Sequence, residues 1–146
     1  MLMRLRNAGP EIALIALAIT LSFIASGCAT YKLAQGPIEV SYVLASDYHQ
    51  AQLTAINVLA DPNVPDVAKD VIRKADAAGT PAIKAVADAA KQYGVIKAEI
   101  DAIKAAGGDV PEAKILQAQA SLTALRAAIT NAQPIVQQLI AAIRGI

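Results

Sequence analysis

Residues 115–146 read ILQAQASLTALRAAITNAQPIVQQLIAAIRGI. Ile115, Ala118, Leu122, Leu125, Ile129, Ala132, Val136, Leu139, Ile143 and Ile146 recur at alternating spacings of three and four. At 3.6 residues per turn, that rhythm lines up small and branched apolar side chains as the a/d seam of a helix. Strands alternate every second residue instead, so the stretch predicts helix. Pro134 falls at an f position, away from the seam. It removes one backbone N–H and predicts a bend near Thr130. The a/d register runs on past it, so Val110 to Ile146 reads as one bent helix of about 55 Å. The candidate interface residues are Ile115, Leu122, Leu125, Ile129, Val136, Leu139 and Ile143. They pack either inside the chain or against another chain, since both arrangements use this pattern.

The same rhythm extends upstream. Val86, Ala89, Tyr93, Ile96, Ile100 and Ile103 follow the three-four spacing, and Gly107-Gly108-Asp109 separates this helix from the last as a turn. Asp109, with Glu112 three residues on, is the expected N-cap of the last helix. Further back, Gly79-Thr80-Pro81 supplies a helix stop, an N-cap and a first-turn proline in order. That triplet predicts a kink or a new helix. A second helix is expected to start near Val64, capped by Asn63, with Pro65 tolerated in its first turn. A first helix is expected from Glu39 to Leu59, with Val40, Leu44, Tyr48, Ala51, Ala55 and Val58 on its apolar face. The Asp61-Pro62 pair ends it. The expected fold is all-α, an up-down bundle of three to four helices or a helical hairpin.

Composition agrees with helices of small side chains. The chain has 33 alanines, 28 of them after Cys28, and Ala is the best helix former because it loses no side-chain entropy. No Phe, Trp or Met follows Cys28, so any core is built from Ala, Ile, Leu, Val and Tyr. From residue 29 onward, 11 Lys/Arg balance 11 Asp/Glu, with the signs interspersed. No basic stripe is present, which argues against nucleic acid as a partner.

The N-terminus has a different character. MLMRLRNAGPE carries Arg4 and Arg6, and Ile12 to Ala25 is a run of 14 mostly apolar residues. That order fits a secretory signal, and the run is short for a helix that spans a bilayer. Ala25-Ser26-Gly27-Cys28 follows, and Cys28 is the sole cysteine. This stretch resembles the lipobox of bacterial lipoprotein signal peptides, with Ala25 standing where Leu is usual. The resemblance implies that Cys28 carries a thioether-linked diacylglycerol and that cleavage falls between Gly27 and Cys28. It further implies acylation of the new amino terminus, with chains such as palmitate. One chain anchors marginally at about 0.8 kcal/mol per buried CH₂, and two or three anchor firmly. Ala29 follows the cysteine where Asp would signal inner-membrane retention, so the family's sorting rule implies the periplasmic face of the outer membrane. An uncleaved signal-anchor in the inner membrane is the alternative. The domain reading is then signal peptide 1–27, lipidated tether 28–38 and helical domain 39–146.

No pattern for catalysis or metal binding accompanies these features. His49 is the single histidine, and Asp47 lies two residues away, on another face of a helix. No Ser-His-Asp order, phosphate loop or zinc spacing occurs. No catalytic residue, metal ligand or cofactor is expected beyond the covalent lipid on Cys28. Asp66, Asp70 and Asp88, with Lys69, Arg73, Lys74, Lys84 and Lys91, read as solvated helix faces, Asp70 pairing with Lys74. PIVQQLIAAIRGI, residues 134–146, is too short and polar to cross a bilayer. The sequence therefore reads as a small Ala-rich helical lipoprotein, structural or interactive in the cell envelope. Its expected partners are the membrane, through the lipid, and a second copy or an envelope protein, through the seam. Two alternatives are a prophage-encoded envelope factor for lysis or superinfection exclusion, and a helical module that holds a small apolar ligand.

Overall fold

Three helices form because three apolar stripes of a/d type are separated by two short proline- and glycine-bearing turns. The computed structural model describes residues 36–146; the 1–27 segment, Cys28 and most of the expected tether lie outside them. Helix α1 is Pro37–Ala60, α2 is Asp66–Ala105 and α3 is Glu112–Arg144. The fold is all-α, with no strand among the described residues.

Each end has a local cause. Gly36 is extended (φ −145°, ψ 161°) and its N–H donates to Glu39 Oε2 at 3.2 Å. Pro37 then takes the first helical position, where its missing N–H costs nothing and its fixed φ is already helical. The helix thus begins two residues before the expected Glu39 and takes in the last two residues assigned to the tether. Between α1 and α2, Asp61 Oδ1 accepts from the Asn63 backbone N–H at 2.8 Å and from Asn63 Nδ2 at 3.0 Å. That turn occupies Asn63, so Asn63 does not cap α2. Pro65 is the N-cap residue instead, and Asp66 opens the helix, where a carboxylate suits the helix dipole.

The end of α2 is a Schellman motif. The Gly107 N–H donates to Lys104 O and the Gly108 N–H to Ile103 O, both at 3.0 Å. Gly107 has φ +74°, in the left-handed region that only glycine enters freely. Pro111 rather than Asp109 occupies the N-cap of α3.

Of the two expectations at Gly79-Thr80-Pro81, a new helix does not begin there: Asp66–Ala105 is one helix with Pro81 inside it. A proline inside a helix costs about 3 kcal/mol. The core offsets that here. Ile72 and Val86, seven residues either side of Gly79, are both fully buried, so both halves of α2 are held in one register. Pro134 is also passed without interruption. Ala132 and Val136 on either side of it are fully buried.

The core lies where all three helices run together. Leu44, Tyr48, Ala51 and Ala55 come from α1, Ile72 and Val86 from α2, and Leu125, Ile129, Ala132, Val136 and Leu139 from α3. Ala51, Ala55 and Ala132 are the small members of this core, and Tyr48 is its one aromatic ring. Two buried serines satisfy themselves within their own helices. Ser41 Oγ donates to Ile38 O at 2.6 Å and Ser121 Oγ to Ala118 O at 2.9 Å, the back-bonding that Ser makes inside helices. At 1.5 Å per residue, α1 spans about 36 Å, α2 about 60 Å and α3 about 50 Å. Among the described residues, the three-helix part therefore gives way to an α2–α3 hairpin.

Candidate functional site

The most elaborate polar arrangement joins α1 to α2 at Tyr48. The ring is 4 % exposed, and its hydroxyl emerges over the middle of α2. It lies 2.7 Å from Asp76 Oδ1, 2.9 Å from Asp76 O and 2.8 Å from Thr80 Oγ1. Gln52, one turn along α1, donates from Nε2 to the Tyr48 oxygen at 3.1 Å and to Asp76 Oδ1 at 2.9 Å. A consistent proton assignment has Tyr48 donating to the Asp76 carboxylate while Gln52 and Thr80 donate to the Tyr48 oxygen. Burial pushes the Tyr48 hydroxyl up to about 12, with the Asp76 carboxylate adding to the rise and the Thr80 and Gln52 donors opposing it.

Gly79 makes this contact possible. A Cβ there would overlap Tyr48 Cε2 and stand 2.9 Å from Cζ and 3.0 Å from the hydroxyl oxygen. The Cε2–Cζ–hydroxyl edge of the ring sits against Gly79, a turn position that has no side chain. A phenol held neutral by burial against a carboxylate does not serve as a base near neutral pH. The arrangement is a clasp between helices, built from hydrogen bonds that a displaced ring would leave unmade.

His49 is exposed. Asp47, half-buried, is pushed above the usual carboxylate range by burial. Among the described residues, no group of three His, Cys, Asp or Glu side chains could hold a metal ion. The ion pairs are surface features. Arg73 meets Asp70 at 2.8 Å and Lys84 meets Asp88 at 2.5 Å within α2, while Lys114 of α3 meets Glu99 of α2 at 2.6 Å. Asp70 thus pairs with Arg73 rather than with Lys74. Exposed pairs of this kind contribute at most about 1 kcal/mol each.

The seam residues of α3 divide by position. Leu125, Ile129, Val136 and Leu139 are buried, and Ile143 packs half-buried against the same core. Leu122 is half-buried, and Ile115 is 44 % exposed. Among the described residues, α1 starts at Pro37 and does not extend over them. Leu122 and Ile115 line an open groove of about 280 Å³ with Tyr93, Ile100, Val110 and Ala118. A second open groove, of about 400 Å³, lies beside Val95 and Ile96, with Asp88, Lys91, Glu99 and Lys114 at its edge. Gly27 and Cys28 lie outside the described residues.

The surface charge is uneven. α1 carries only Glu39 and Asp47, and α3 only Glu112, Lys114, Arg126 and Arg144. α2 alternates acids and bases along its length. Tyr42, Leu53 and Ile56 of α1 and Leu116 of α3 are exposed apolar side chains. None of the described helices is long and apolar enough to cross a membrane. The chain matches no protein family, no curated protein and no solved structure.

Proposed function

We propose that this chain is a lipid-anchored helical protein of the bacterial cell envelope whose role is structural or interactive rather than catalytic. The observation that carries this reading is Ala25-Ser26-Gly27-Cys28 at the end of the Ile12–Ala25 apolar run. A first helix that starts at Pro37 supports it. Eight residues, 29–36, separate the cysteine from that helix and reach at most about 28 Å, a short stalk for a bundle held at a membrane. The charge-poor outer faces of α1 and α3 support an interaction role, since charged side chains are depleted where proteins meet. The polar side chains that do converge, around Tyr48, are used up in holding α1 on α2. The grooves at the hairpin are open along their length and do not enclose a small molecule as ligand sites do.

The test is the intact mass of the protein extracted from membranes of a Gram-negative host. The expected species begins at Cys28 and carries the added mass of diacylglycerol and an amide-linked acyl chain. A species that retains residues 1–27 without lipid would overturn the reading.

A further inference from the structure

Both long helices carry a proline inside them, Pro81 in α2 and Pro134 in α3. The two stand at nearly one level of the antiparallel hairpin. Lys114 of α3 meets Glu99 of α2 at 2.6 Å, which sets the register. Equal numbers of steps back from Glu99 to Pro81 and onward from Lys114 reach Ala132, two residues and about 3 Å short of Pro134. Pro81 cannot donate to the carbonyl of Ala77, nor Pro134 to that of Thr130. Gly79 weakens the same turn of α2 further. Interior prolines are where helices bend, and here two neighbouring helices have theirs side by side.

α1 is built differently. Its one proline is Pro37, at the first position, and it holds no glycine. It crosses the level of the prolines at Tyr48, whose hydroxyl reaches Asp76 and Thr80. Gln52, one turn along, reaches Asp76 as well, so α1 and α2 run antiparallel. Leu44 therefore sits toward the hairpin turn, as Val86 does, and Ala55 away from it, as Ile72 does. All four are buried, so α1 is packed on both sides of the weak level.

The two sides differ in what holds them without α1. Toward the turn, residues 82–105 of α2 lie along residues 112–133 of α3, and Val86, Ile96, Leu125 and Ile129 are buried between the helices there. On the other side, residues 66–79 of α2 make a stretch of about 14 residues, a length that is marginal for a helix on its own. Ile72 is its one buried branched side chain, while Val67 and Val71 are exposed.

We infer that Gly79–Pro81 and Pro134 form a hinge across the α2–α3 hairpin and that α1 is the splint that holds it straight. When α1 lifts, residues 66–79 and 136–144 open together while the turn end stays folded. Opening bares Val136 and Leu139, which are fully buried in the closed form. The device stands on the described helices and does not depend on the lipid anchor.

The experiment is hydrogen–deuterium exchange of the full chain in detergent, read peptide by peptide by mass spectrometry. Two variants accompany the parent: Tyr48→Ala, and Tyr48→Ala combined with Pro81→Ala and Pro134→Ala. In Tyr48→Ala, the amides of 67–79 and 137–144 should exchange at least about tenfold faster than those of 84–105 and 115–130. With both prolines replaced the helices are continuous, and the gap should close to that of the parent. Exchange that rises equally along both helices would overturn the inference, since the chain would then open as one unit. So would a gap that survives replacement of both prolines, because fraying of the free ends alone would account for it. Should Tyr48→Ala lose its helix content, the parent in rising, sub-denaturing urea decides: the end segments must open before the turn end, and one common opening would overturn the hinge.

Discussion

Gly79→Ala offers the sharpest check on how the helices are joined. By helix propensity alone the substitution should stabilise, by about 1 kcal/mol. The structure predicts the opposite sign. The new methyl would occupy the place of Tyr48 Cε2 and crowd Cζ and the hydroxyl. Both belong to rigid elements, one the helix backbone and the other a buried ring wedged between α1 and α2, so small shifts do not relieve the overlap. The ring must leave. Exposing an aromatic side chain costs about 1.5–3 kcal/mol, and each hydrogen bond lost to Asp76 or Thr80 adds about 1. Against the propensity gain, the net loss is about 2–4 kcal/mol. At roughly 4 °C per kcal/mol for a domain of this size, the midpoint should fall by roughly 8–16 °C. The assay is thermal unfolding followed at 222 nm, repeated in a Tyr48→Ala background. There the ring atoms that the methyl overlaps are gone, and Gly79→Ala should raise the midpoint by a few degrees. A Gly79→Ala chain that melts at or above the parent temperature, or an alanine effect of the same sign in both backgrounds, would refute the clasp.

Two further outcomes follow from the same geometry. Leu125 is 0 % exposed at the centre of the three helices, so Leu125→Asp puts an unpaired carboxylate where no donor waits; the penalty of several kcal/mol should leave the chain without cooperative melting by circular dichroism. Tyr48 is pushed up from 10.0 to about 12 in the folded chain, chiefly by burial, so the folded state favours the neutral phenol. Its contribution to stability is full below pH 10 and is lost as pH rises from 10 towards 12. Melting midpoints of the parent and Tyr48→Phe should therefore differ by a constant amount up to about pH 9.5 and converge above it, and a gap that persists unchanged at pH 11.5 would show that the hydroxyl is not held neutral.

The sequence carries its fold in spacing. Leu125, Ile129, Val136 and Leu139 are legible as core because a seven-residue repeat names a face of a helix, whatever that face touches. Gly79-Thr80-Pro81 leaves a kinked helix and a new helix equally open for the complementary reason. Glycine, threonine and proline mark a break when only neighbours in sequence are weighed, but Ile72 and Val86 bury on one side of the triplet and outweigh the local preference. The partners of Tyr48 were not legible at all. A buried tyrosine needs a partner for its hydroxyl, yet Asp76 and Thr80 lie 28 and 32 residues away, and no local pattern names them. One signal was available: a glycine at the seam position between Ile72 and Val86 marks a place where something large must fit. Ile115 shows a different limit. Periodicity tells which face of α3 is apolar, and only the lengths of the three helices tell where its neighbour ends.

The same accounting explains why α2 tolerates its own middle. Gly79 and Pro81 each disfavour helix, by about 1 and 3 kcal/mol, and they stand two residues apart. An isolated helix would give way there. Tyr48 covers Gly79, and its hydroxyl donates to the Asp76 carboxylate at 2.7 Å, which ties the turn to α1. The weak turn of α2 is thus the turn that α1 grips, and the residue that weakens it, Gly79, is the one that admits the ring. Helix propensity is given up at one turn so that two helices meet closely at that turn.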